Sequence, residues 1–68
     1  MNNPQPDTIC LDDYLKACGI AATGGQAKLL IQAGRVKLNG AVETRRRKKL
    51  VPGDVLHVDG TEYVIEKD

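Results

Sequence analysis

Apolar positions recur at three and four residues in the first third of the chain: Leu11, Tyr14, Leu15 and Cys18 fall on one face, while Asp12, Asp13 and Lys16 fall outward. This spacing predicts a helix, with Asp7 and Thr8 offering side-chain oxygens to its first free amides and Gly19 ending it. A second helix is expected from Thr23-Gly24-Gly25-Gln26, where the Thr23 oxygen can accept from the Gln26 amide and the Gln26 side chain can reach back. Ala27, Leu30 and Ile31 form its buried stripe, and Gly34 is the natural stop after Ala33. Only a few residues separate the two segments, so they should pack as an αα-hairpin.

From Arg35 the period changes to two. Val36 and Leu38 share one face and Arg35 and Lys37 the other, and Asn39-Gly40 supplies the strongest short hairpin signal before the partner strand Ala41-Val42-Glu43-Thr44. Leu50-Val51 leads into a Pro52-Gly53-Asp54 turn, followed by a strand at Val55-Leu56-His57-Val58. Asp59-Gly60 then turns the chain into a closing strand, Thr61 to Glu66. The expected fold class is α+β: an αα-hairpin packed on a small, mostly antiparallel β-sheet.

At 68 residues, 41% of them hydrophobic with seven Gly, the chain suits one folded unit with little room for a deep cavity. Residues 1–7, rich in Pro, Asn and Gln, read as a flexible leader, and 8–68 as the single domain. The start has no basic region followed by an apolar core, and apolar runs stop at three residues, so neither a secretory signal nor a membrane span is expected. A reducing, cytoplasmic compartment follows as the expectation, with Cys10 and Cys18 too few for a disulfide scaffold. Those two cysteines and His57 form no paired ligand motif, so no metal or other cofactor is expected.

Charge changes the picture, because a formal net charge of +1 hides segregation along the chain. Residues 28–49 sum to +7, against −2 before them and −4 after. One face should therefore attract polyanions. Enzymatic chemistry fits poorly: there is no serine, the single His lies on a strand between Leu56 and Val58, and no Walker-type phosphate loop follows Gly24-Gly25. Asp12 and Asp13 are adjacent on a helix and about 100° apart, a poor acid and base pair. The run Arg45-Arg46-Arg47-Lys48-Lys49 suits either a solvated edge or phosphate neutralisation. Lys28 one turn into the second helix, the bare Gly24-Gly25 start, and Arg35 and Lys37 on the next strand favour the second reading.

The ordered set Leu11-Asp12-x-x-Leu15, Gln26-Ala27-Lys28-x-Leu30-Ile31, Gly34-Arg35-Val36-Lys37-Leu38-Asn39-Gly40 and Pro52-Gly53-Asp54-Val55-Leu56 resembles the S4 RNA-binding domain family, and within it the small stand-alone YbcJ-type bacterial members. The resemblance covers residues 10 to about 60 and implies the αL motif, RNA binding and no catalysis. Two places depart from the family pattern: Cys10 stands where an Arg commonly precedes Leu-Asp, and Thr23-Gly24 stands where Ser-Arg opens helix two. Two phosphate contacts of that pattern are therefore missing. The expected RNA-contacting set is Thr23, Gln26, Lys28, Arg35, Lys37, Asn39, Arg45, Arg46, Arg47, Lys48 and Lys49.

Structured RNA, ribosomal RNA or tRNA among the candidates, is the expected partner of a monomer, read through phosphates, 2′-hydroxyls and shape. With Tyr14 and Tyr63 as the only aromatics there is no stacking platform for single-stranded bases. The alternative is a protein-interaction module that docks its basic face on an acidic partner or ribonucleoprotein. Specific duplex DNA reading is a weaker third, because helix two offers little beyond Gln26, Lys28 and Gln32. No apolar stripe accompanies the basic run, which argues against a lipid surface.

Overall fold

A computed structural model describes residues 9–66. The element order is β1 (Ile9–Cys10), α1 (Leu11–Ala17), α2 (Gly24–Gln32), β2 (Val36–Leu38), β3 (Ala41–Val42), β4 (Lys49–Leu50), β5 (Val55–Val58) and β6 (Thr61–Val64). The α+β class and the αα-hairpin are as the sequence pattern predicts.

Both helices end in the same way. Gly19 and Gly34 take φ of 75° and 78°, a region that penalises any Cβ. The chain can then fold its amides back: Gly19 N donates to Lys16 O and Ile20 N to Leu15 O, and Gly34 N to Ile31 O and Arg35 N to Leu30 O. These are paired Schellman closures, each satisfying two carbonyls that a helix end leaves open.

The strands form two sheets, not one. Four strands run in the order β3-β2-β5-β6, and β1 pairs separately with β4, every pairing antiparallel. The β1–β4 pair places Ile9 opposite Leu50 and Cys10 opposite Lys49. Strands of two residues are too short to show a period of two, and without a turn signal between β1 and β4 the sequence pattern could not announce this pair. The expected strands at 41–44 and 61–66 are shorter, ending at Val42 and Val64.

Alternation in the larger sheet sends Val36, Leu38, Leu56 and Val58 inward, where they join Leu11, Leu15, Ala27 and Ile31 of the helices in one buried cluster with Leu50 and Ile65. Leu30 is partly buried at its edge. Cys18, expected on the buried face of α1, is exposed, because it follows the last helical residue as the C-cap. Cys10, with no side-chain hydrogen bond, stands at the N-cap of α1. Asp7 and Thr8, the expected caps, and the leader 1–7 lie outside the described residues. No helix among the described residues is long and apolar enough to cross a membrane.

Candidate nucleic-acid interface

The first amides of a helix have no partners within it and must find them elsewhere. In α1 they find the basic run. Leu11 N donates to Lys48 O at 2.8 Å and Asp12 N to Arg46 O at 3.0 Å, while Asp13 N donates to Asp12 Oδ1 at 2.9 Å. Lys48 N closes a turn onto Arg45 O at 3.1 Å. The loop that carries Arg45, Arg46 and Arg47 is thereby laid across the start of α1, with its carbonyls serving as the cap.

The same contact buries Asp12, which the helical pattern places outward: it is 3% exposed. Periodicity within a helix cannot see a loop that returns 35 residues later and covers one end of it. Arg46 Nε stands 3.3 Å from Asp12 Oδ2, and Arg47 Nη1 stands 3.4 Å from Asp12 Oδ1 and 3.8 Å from Asp13 Oδ2. The two carboxylates thus converge on one guanidinium in spite of their separation around the helix. Arg45 is held by Glu43 instead, with Nε to Oε2 at 2.9 Å and Nη2 to Oε1 at 3.2 Å, and these bonds hold the Glu43 carboxyl below its ordinary pKa. Cys10, Asp12 and Asp13 bring one potential metal-donor atom each within 4.8 Å of the others, but the Asp12 oxygens already face two guanidinium groups.

A second cationic region lies on the outer face of the four-stranded sheet. The register aligns Lys37 with His57, flanked by Val42 and Glu62. Arg35 closes one end through a two-pronged pair with Asp59, Nε to Oδ1 at 2.9 Å and Nη2 to Oδ2 at 2.6 Å. An open groove of about 470 Å³ runs along this face between Gly60 and Gly40, lined also by Gly34, Arg35, Lys37, His57 and Asp59. His57 Nε2 faces Glu62 Oε1 at 3.4 Å, so the only histidine has a carboxylate partner.

The neutral members of the expected set have structural duties. Thr23 Oγ1 accepts from Gln26 N at 3.1 Å, as the capping pattern predicts. Gln26 Oε1 accepts from Ala22 N at 2.9 Å, one residue before the cap amide it is expected to reach. Asn39, at φ 52° in its turn, ties that turn to the next: Oδ1 accepts from Val55 N at 2.9 Å and Nδ2 donates to Asp54 Oδ1 at 3.1 Å. Its carboxamide thus has a structural role within the molecule, while the residue itself stays exposed.

The cations therefore fall into two kinds. Arg35, Arg45, Arg46 and Arg47 each have a carboxylate within 4.0 Å, whereas among the described residues Lys28, Lys37, Lys48 and Lys49 have none. Asp12 and Glu43 are the contributors that sequence reasoning passes over. For Glu43 a signal was present, as the one acid inside an eight-cation segment, whereas the helical pattern gave none for Asp12.

Comparison with known proteins adds a family. The S4 domain family model matches residues 3–66. The chain is 48% identical over 50 residues to the "Putative RNA-binding protein YbcJ" of Escherichia coli strain K12, covering 74% of this chain and 71% of that one. It is 33% identical over 63 residues to the "Probable ribosome maturation protein RlbA" of Bacillus subtilis strain 168, covering 88% and 89%. Among solved structures, the 30S ribosomal protein S4e from Thermoplasma acidophilum superposes with a TM-score of 0.65 at 21% identity. That match covers 85% of this chain but only 31% of the ribosomal protein, and it shows a shared fold.

Proposed function

The chain belongs to the S4 domain family, and from that premise we propose that it is a non-catalytic module that binds structured RNA through phosphate and shape contacts. The observation that carries this reading is the arginine loop docked on α1. Three guanidinium groups are each held by a carboxylate while their side chains remain 42% to 70% exposed. Guanidinium forks match the oxygens of a phosphate, and each retains N–H groups that the internal pairs do not use. Lys48 and Lys49 follow directly, and Lys28 and Lys37 add positive charge on α2 and the sheet.

The aromatic residues support shape over base stacking. Tyr14 and Tyr63 are partly buried against the core. Single-stranded recognition by stacking would need exposed rings on the basic surface. The names of the relatives, an RNA-binding protein and a ribosome maturation protein, are consistent with ribosomal RNA as the target, with the chain acting on a ribonucleoprotein.

The test uses the intact chain and a labelled RNA hairpin, a DNA duplex of matched sequence and anionic vesicles, each through a salt series. The variant beside it is Lys48→Gln with Lys49→Gln, because neither side chain makes an ion pair among the described residues. The hairpin should bind tightest, and the salt slope in the variant should shrink by about one for each phosphate contact removed. Equal weak binding to all three would overturn the RNA reading.

A further inference from the structure

We propose that Asp12 is a positioning residue: it aims the guanidinium groups of Arg46 and Arg47 and thereby sets how well the loop distinguishes folded RNA from other polyanions. The inference rests on the RNA-binding reading and deepens it. Asp12 is the single buried charged residue among the described residues. Burial of a carboxylate is costly, and apolar replacements of buried ion pairs are often as stable or more so, so stability alone is a weak reason to keep it there.

The geometry supplies a better reason. Asp12 engages Arg46 through Nε and Arg47 through Nη1, which leaves the remaining N–H groups of both forks on side chains 42% and 65% exposed. The backbone of the same loop is fixed on the same helical turn by Leu11 N to Lys48 O and Asp12 N to Arg46 O. Main chain and side chains are thus anchored at one point. Long side chains lose freedom when they bind, and holding them beforehand removes part of that cost.

The carboxylates also subtract charge. Asp12, Asp13 and Glu43 set three negative charges against the five cations of the loop and Lys16, which leaves a net of three. A weaker field attracts any polyanion less, so fit with the spacing of phosphates on an A-form groove gains relative weight in the choice of partner.

The experiment compares wild type with Asp12→Asn, which keeps the shape and removes the charge, on the RNA hairpin and the matched DNA duplex. A urea midpoint confirms that the variant is folded. Asp12→Asn should bind the hairpin about tenfold less tightly while duplex affinity holds or rises, because two arginines are released but no longer aimed. A folded Asp12→Asn with the wild-type ratio of hairpin to duplex affinity overturns the inference and leaves the RNA reading standing. Wild type without any hairpin preference would overturn the RNA reading itself. Arg46→Lys gives a second route should Asp12→Asn unfold: the charge opposite Asp12 stays and the planar fork is lost. Its hairpin-to-duplex ratio should fall with little change in salt slope, and a ratio equal to wild type would again overturn the inference.

Discussion

Asn39 shows how one side chain can serve two turns. At φ 52° it occupies a backbone region in which Asn is tolerated better than most residues, and its carboxamide bridges to Val55 N and Asp54. Asn39→Ala loses both bonds and keeps the unfavourable backbone, so unfolding in urea should show a loss of about 1–2 kcal/mol. Tyr14 gives a second test at this scale. Burial first, then neighbouring Cys18, Tyr63 and Glu66, pushes its hydroxyl up to about 12 from 10.0. The folded state holds this proton more tightly than the unfolded state does. Its contribution to stability is therefore whole below pH 10 and is lost as pH rises through about 12. Ultraviolet titration of wild type should show a late phenolate step that Tyr14→Phe removes; a Tyr14 step at the ordinary value would refute the burial argument.

Elements this short depend on their ends. An α1 of seven residues and an α2 of nine are below the length at which a helix is stable alone, so caps and packing decide them. Thr23→Ala removes the bond to Gln26 N and should cost about 1 kcal/mol in a urea melt. Gly34→Ala should cost about as much for a different reason. A Cβ there would meet nothing nearer than Val42 Cγ1 at 3.9 Å, so the penalty is the φ of 78° and not a clash. The start of α1 has no such side-chain cap, and the carbonyls of the basic loop take its place. The proposed RNA contact and helix initiation are joined at that point. Loosening the loop should fray α1, visible as faster amide exchange at Leu11 and Asp12.

Across the whole molecule the same join means that charge cannot be removed without regard to which cation is taken. Arg46→Ala with Arg47→Ala strands the buried Asp12 carboxylate and should lower the urea midpoint, whereas Lys48→Gln with Lys49→Gln should leave it near wild type. Equal midpoints for the two double variants would show that Asp12 is not held by its arginines. The sequence by itself determined the helices, their glycine stops, the two turns at Asn39-Gly40 and Asp59-Gly60, and the alternation of Val36, Leu38, Leu56 and Val58, because each is a local or periodic property of adjacent residues. It also determined where positive charge is concentrated, since that is a count. Only the tertiary structure decided that β1 pairs with β4, that Asp12 is buried, and that Arg35 and the three loop arginines have carboxylate partners while Lys28, Lys37, Lys48 and Lys49 have none among the described residues. The pairs of Arg35 with Asp59 and of Arg46 and Arg47 with Asp12, like the β1–β4 pairing, join segments far apart in the chain, and no period within one element encodes which distant segment will cover it.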